Sequence, residues 1–303
     1  MNKVSVVVPS YNGGKFLNDL IDNVLSQTLE EFELIIVIDA SEDNSLEIVT
    51  KRQSEDSRII LLANTVRRGA SECRNQAINR CNSEYIAFMD HDDLWHPKKL
   101  ERQVEFMEKD QSLVGVLCNY IICKDKSFNF KALGAVKHKN TSRMFEDWLN
   151  FKGEGPALAS TLMLRNSGTI IYFNEELRAL YDLEYFYDVS KKGKIGYCID
   201  YLMLYIQHDE QMHRNPRSVM EIGNLTHLSE KERNRLKSKA SVYSKLLGKD
   251  LQNILRLPRD FRTRDFFTVT QILFGVLKRR LFRKLRMLID YREIADLILI
   301  ARR

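Results

Sequence analysis

Val4-Ser5-Val6-Val7-Val8-Pro9-Ser10-Tyr11-Asn12-Gly13-Gly14 decides the class of this chain. A β-branched run closed by a proline reads as a buried strand, and Asn12-Gly13-Gly14 as the turn that follows it. Phe16, Leu17, Leu20, Ile21, Val24 and Leu25 then recur at helical spacing. A buried strand, a tight turn and an amphipathic helix form the first half of a β-α-β unit, and the next hundred residues repeat the theme. Leu34–Ile38 is a second strand halted by Asp39, Ser45–Gln53 a helix, and Ile59–Leu62 a third strand. Ala70, Cys73, Ala77 and Cys81 give the small-residue face of another helix, and Tyr85–Met89 is a fourth strand ending at Asp90. Pro97 suits the first turn of a helix with Leu100, Val104 and Met107 on its apolar face, and Val114–Ile122 is a fifth strand.

Such alternation predicts an α/β fold with a doubly wound, mostly parallel sheet. Ligands of open sheets of this kind bind beyond the carboxyl ends of the strands. The residues there are Pro9-Ser10-Tyr11-Asn12, Asp39-Ala40-Ser41-Glu42-Asp43 and Asp90-His91-Asp92-Asp93, so several carboxylates meet at one edge. Clustered carboxylates repel one another unless something positive lies between them, and their oxygens suit Mg²⁺ or Mn²⁺. The chain has neither a G-x-x-x-x-G-K-[ST] loop nor a G-x-G-x-x-G fingerprint. A phosphate ligand would then be held through a metal and basic side chains. By itself the acidic run also reads as a solvated turn.

Context favours the ligand. Val4–Asn12, Leu25-Ser26-Gln27-Thr28, Glu33–Ser45, Arg74-Asn75-Gln76-Ala77 and Glu84–Pro97 stand in the order and spacing of family 2 (GT-A fold) glycosyltransferases, which the chain resembles over residues 3–100 and more weakly to about residue 213. The resemblance implies a GT-A sheet with a nucleotide-binding half, an acceptor half and a helical C-terminal segment. It implies an inverting, metal-assisted transfer of a sugar from a nucleotide diphosphate-sugar, usually of uridine, to a hydroxyl of a glycan or lipid-linked glycan.

By the same resemblance Pro9 and Tyr11 line the base pocket, and Asp39 hydrogen-bonds the base. Ile38 stands where the family often has a second Asp. Asp90, Asp92 and Asp93 match the D-x-D region that binds the ribose and the metal-bridged diphosphate, with His91 as its variable residue on the donor side. Asp92 and Asp93, with His208 after a strand-like run, are the metal candidates, and Arg74 lies in a segment that the family places near the donor. The bland readings are a surface arginine for Arg74 and a structural histidine for His208. Asp182 matches the Asp of the family's E-D pair and is the expected catalytic base; Tyr181 replaces the Glu, and Asp188 stands where an Arg is common. An inverting transfer needs one carboxylate to take the acceptor proton. Glu184, two residues on, is the rival, and a helix N-terminal carboxylate favoured by the dipole is the bland alternative for Asp182. Trp95 reads as core and His96 as a turn residue.

The domain expectation is 1–125 for nucleotide-sugar binding, 126–215 for the acceptor and catalytic base, and 216–303 for a basic helical segment. Within the middle part, Gly153–Pro156 reads as a loop, Leu162–Leu164 as a short strand, Leu180–Ser190 as a helix and Ile195–Ile206 as a strand or hairpin. The net charge of +6 sits in the tail. Residues 256–303 carry 13 Lys/Arg against 5 Asp/Glu, whereas the preceding 255 carry 34 against 36. Leu273, Leu277, Leu281, Leu285 and Leu288 share that tail with Lys278, Arg279, Arg280, Arg283, Lys284 and Arg286. A basic amphipathic helix can lie on an anionic membrane, or pack on the core with a solvated face. No nucleic-acid-binding motif is present.

No apolar run reaches the roughly 20 residues of a spanning helix, and the strand-like start at Val4 predicts no signal peptide. The five cysteines include no C-x-x-C pair, which favours a reducing compartment. The expectation is a cytoplasmic protein, alone or as an oligomer, with peripheral contact to the inner membrane face as an option. Two competing readings remain open. A non-catalytic sugar-binding relative would fit the changes at Ile38, Tyr181 and Asp188; a sugar nucleotidyltransferase would need a glycine-rich, Arg-containing loop, which Asn12-Gly13-Gly14-Lys15 matches poorly.

Overall fold

A computed structural model describes residues 2–124, 131–136, 158–166, 171–177 and 181–208. The loop expected at Gly153–Pro156 and the basic segment expected from 216 onward lie outside these residues. The strands among them are β1 (Val4–Ser10), β2 (Phe32–Asp39), β3 (Ile59–Asn64), β4 (Tyr85–Phe88), β5 (Leu94–Trp95), β6 (Leu113–Lys124), β7 (Lys131–Val136), β8 (Leu162–Arg165) and β9 (Lys194–Gln207). The helices are α1 (Gly14–Leu25), α2 (Ser45–Glu55), α3 (Ala70–Arg80), α4 (Lys99–Lys109) and α5 (Tyr181–Lys192), with one 3₁₀ turn at Ala159–Thr161.

One sheet runs β3-β2-β1-β4-β8-β6-β9-β5, with β7 paired to β6. Its first four strands are parallel, as are β6 and β9. β1 and β2 are buried along their whole length, so successive residues feed opposite faces. Val6, Val8, Leu34 and Ile36 join Leu17, Leu20, Ile21 and Val49 in one core layer, against α1 and α2. Val7, Ile35 and Val37 join Cys73, Ala77, Ile78, Tyr185 and Phe186 in the other, against α3 and α5. Helices on both faces make the sheet doubly wound, and the continuous apolar runs of β1 and β2 are the reason.

Two details depart from the sequence reading, and one open alternative resolves. β8 runs antiparallel between β4 and β6, where simple β-α-β alternation would have made those two neighbours. Ile195–Ile206 forms one long strand rather than a hairpin, the first of its two readings, with shifts in its register against β6 around Cys118–Tyr120. Pro97 precedes α4 rather than entering it: the Lys98 N–H closes a turn onto His96 Nδ1 at 3.0 Å, and the helix starts at Lys99. β5 pairs with Leu204 and Met203 of β9, which folds the acidic turn after β4 back against the end of β9.

Candidate functional site

The loops after β1 and β2 are stitched together at the carboxyl edge of the sheet. The Asn12 N–H donates to Ser41 Oγ at 3.0 Å, and the Glu42 N–H donates to Asn12 Oδ1 at 2.9 Å. Both loops turn through left-handed backbone, at Asn12 (φ 49°) and Ala40 (φ 50°). Asn tolerates that region; Ala carries a Cβ penalty of about 1–2 kcal/mol. Asp43 ties the loop to α1 by accepting the Gly14 N–H at 2.8 Å. A Cβ on Gly14 would stand 2.1 Å from Asn44 Oδ1, so a larger residue here would push the Asn44 side chain aside.

Asp39 is buried at the end of β2. Its Oδ1 accepts the Arg68 N–H and its Oδ2 the Gly69 N–H, each at 2.8 Å, and Asn64 Nδ2 donates at 3.2 Å. Burial pushes the carboxyl up, but these donors outweigh it and hold the pKa below the ordinary 3.8. In this structure the residue expected to read the base anchors the 64–69 loop. That loop sends the Arg67 guanidinium over the half-buried Tyr11 ring, 3.9 Å from its centroid. Pro9 is buried within β1, behind Tyr11.

The acidic turn lies between β4 and β5, closed by the Asp93 N–H on the Asp90 carbonyl at 3.2 Å. Its side chains diverge. Asp90 pairs with Arg74. Asp92 Oδ2 meets His208 Nε2 at 2.8 Å, so the turn and the end of β9 do come together. His91 and His208 both lie against the ring of Phe16, with centroids 5.7 and 5.0 Å away. Asp93 is 1% exposed. The Ser160 hydroxyl and the Ile206 N–H lie near enough to favour its charged form. Burial, then the charges of Asp92 and Asp90, push its carboxyl well above the usual range.

That arrangement answers whether a metal fits. An under-compensated buried carboxylate beside Asp92 and a histidine is an oxygen and nitrogen donor set suited to Mn²⁺ or Mg²⁺. Among the described residues no three such side chains converge closely enough to hold an ion unaided. A cation there would take its remaining ligands from diphosphate or water, as Mg²⁺ commonly does.

Arg74 is 1% exposed, which disposes of the surface-arginine reading. It sits near the rings of Phe173 and Tyr181, at 5.1 and 4.9 Å from their centroids. Burial works against its charge, but Asp90, Tyr181 and Asp182 more than compensate and keep the guanidinium protonated. Tyr181, in the place of the family's Glu, thus serves Arg74. Asp182, in the first turn of α5, accepts a long hydrogen bond of 3.4 Å from the Ala159 N–H. Its other oxygen has no hydrogen-bond partner among the described residues. Burial lifts its pKa from 3.8 to about 6, against the pull of Arg74 and with the push of Asp90. A carboxylate poised near neutrality suits a general base. Glu184 is buried and accepts from Asn174 Nδ2 at 3.1 Å, which ties it to the 171–177 segment. Asp188 is half-buried on the same helix. Trp95 is core, as expected, and His96 is a turn residue.

Sequence reasoning missed Ser160, Phe16 and Arg67. Arg67 and Phe16 stand next to quoted motifs and follow from loop adjacency; a lone serine in a patternless stretch sends no signal.

The match to the profile described as "Glycosyl transferase family 2" runs over residues 5–173. Over 125 residues the chain is 37% identical to the Escherichia coli UDP-Glc:alpha-D-GlcNAc-diphosphoundecaprenol beta-1,3-glucosyltransferase WfaP, covering 41% of this chain and 49% of that protein. The chain spans about half the length of the curated relatives it matches. Among solved structures, S. aureus TarS in complex with UDP-GlcNAc superposes with a TM-score of 0.61 at 18% identity, over 91% of this chain and 82% of that one. The mannosyltransferase PcManGT from Pyrobaculum calidifontis, in complex with GDP-Man and Mn²⁺, superposes with a TM-score of 0.55 at 16% identity, over 93% and 88%. These likenesses show a GT-A type fold. With more than half of its length matched by the family profile, the chain belongs to glycosyl transferase family 2.

Proposed function

We propose that the protein is an inverting, metal-assisted glycosyltransferase. It moves a sugar from a nucleotide diphosphate-sugar, a UDP-sugar in the first instance, to a hydroxyl of a glycan or lipid-linked glycan. The observation that carries this reading is a pair of carboxylates with opposite tasks on either side of Arg74. Asp90 belongs to the donor-side acidic turn; Asp182 sits poised near pH 6 with one oxygen unengaged. In the proposed reaction Asp182 takes the acceptor hydroxyl's proton as the oxygen attacks the anomeric carbon from the face opposite the diphosphate. Pro9, Tyr11 and Asp39 form the wall of the base pocket, and His91 backs the donor side through Phe16. Asp92, Asp93 and His208 would hold Mn²⁺ or Mg²⁺. When bound, the ion supplies charge neutralisation for the departing nucleoside diphosphate. WfaP, by its name, uses a UDP-sugar and a lipid diphosphate acceptor, and this supports the same donor and acceptor classes here. Among the described residues no helix is long and apolar enough to cross a membrane. A lipid-linked acceptor would then be met from the surface, with the basic tail as the proposed contact.

The test is release of nucleoside diphosphate from UDP-, GDP- and dTDP-sugars with Mn²⁺ and with chelator, alongside melting temperatures for the same panel. Metal-dependent turnover of one donor supports the reading. Binding of a donor without hydrolysis or transfer to any acceptor would support the non-catalytic alternative instead.

A further inference from the structure

The 3₁₀ turn Ala159–Thr161 joins the two halves of the candidate site, and we propose that Ser160 at its centre is a positioning residue for the reaction. This rests on the function proposed above. Ser160 is completely buried, and its Oγ accepts the Asp90 N–H at 2.9 Å. Its hydroxyl faces Asp93. One residue earlier, the Ala159 N–H is the hydrogen-bond donor to Asp182. A single turn therefore holds the backbone of the donor-side acidic turn at Asp90 and, one residue earlier, the carboxylate of the proposed base. Asp90 and Asp182 lie about 90 residues apart in sequence, and no direct hydrogen bond between them is needed to set their separation.

The turn is itself held from behind. Trp95 Nε1 donates to the Ser160 carbonyl at 3.1 Å, and Gln103 Nε2 donates to the Thr161 carbonyl at 2.9 Å. The buried ammonium of Lys99 donates to Gln103 Oε1 at 2.6 Å and lies 3.8 Å from the Trp95 ring centroid. Three buried side chains from β5 and α4 and two carbonyls of the turn thus form one polar brace in an otherwise apolar layer. Buried polar groups are costly unless satisfied, and a satisfied network fixes a unique geometry. The brace has that form, and what it fixes is the spacing across the site.

The experiment compares Ser160→Ala, Ser160→Thr and Trp95→Phe with the wild type, each assayed for melting temperature, donor KM, kcat and the Mn²⁺ concentration for half-maximal turnover. Loss of the hydroxyl should lower kcat or raise the metal requirement by about 10- to 100-fold, the range for groups that orient ligands from behind. Ser160→Thr should recover most of it. Trp95→Phe keeps an aromatic ring but loses the indole N–H and its brace bond, so it should lower kcat by several-fold with donor KM nearly unchanged; it stands in if Ser160→Ala does not fold. Ser160→Ala or Trp95→Phe variants that lose thermal stability but keep wild-type kcat and metal dependence would overturn the proposal. A wild type that shows no metal-dependent turnover with any donor would instead overturn the function on which it rests.

Discussion

Replacing Asp182 by Asn should make the protein more stable and nearly inactive at once. The fold lifts the Asp182 pKa from 3.8 to about 6, so ionising it in the native state costs up to about 3 kcal/mol more than in the unfolded chain. The side chain is partly exposed, and water screening brings the realised figure to between about 1 and 3 kcal/mol. The sign follows from linkage. The native state holds the proton more tightly between pH 3.8 and about 6, so wild-type stability falls as pH rises through that window and stays lower above it. Asn cannot ionise, keeps an oxygen for the Ala159 N–H and leaves Arg74 paired with Asp90. Urea unfolding at pH 7.5 should therefore give the variant the higher midpoint at unchanged slope, and the two proteins should converge near pH 4. Transfer should drop by about 10²- to 10⁴-fold, the usual contribution of a general base. In the wild type the acidic limb of kcat/KM should bend near pH 6. An Asn variant that transfers at the wild-type rate, or that is less stable at pH 7.5, would refute the assignment.

Ala40→Gly should raise stability by about 0.5–1 kcal/mol, because the left-handed penalty of Ala exceeds the added chain entropy of Gly; calorimetry reads it as a higher Tm. Asp39→Asn should flatten the acid limb of the stability curve. The wild-type carboxyl is held below 3.8, so its contribution is full above that pH and is lost as pH falls through the folded value; urea midpoints from pH 5 to 2 check this. Arg67→Ala uncovers the Tyr11 ring, and nucleotide affinity measured by calorimetry should change several-fold while the Tm stays within a degree or two. A matched nucleoside diphosphate at 100 times its Kd should stabilise the protein by about 2.7 kcal/mol with Mn²⁺, and by far less after chelation; thermal shift decides it.

The sheet and its acidic edge were legible because they depend on local signals. Apolar runs such as Val4–Val8 and Leu34–Ile38 end in polar residues that can only fall at strand ends. The E-D remnant at Tyr181-Asp182 was legible as a motif. What escaped notice depends on contacts distant in sequence. An arginine on α3 has no sequence mark of full burial; that comes from Phe173 and Tyr181, a hundred residues later. The direction of β8 was hidden because a run of three or four apolar residues has no polarity of its own. Ser160 was hidden for the same reason: its role comes from Asp90, Asp93 and Trp95, none of them its neighbours in sequence.

The placement of β8 also bears on how the protein comes to be made. On the ribosome, β1 to β4 can assemble as soon as residues 4–88 have emerged, but the outer flank of Tyr85–Phe88 stays bare until Leu162–Arg165 has been synthesised. Through that interval the nascent chain presents unpaired backbone that any passing strand can join. The non-local closure also slows folding, since chain distant in sequence must be brought back before β8 gains its partners on either side.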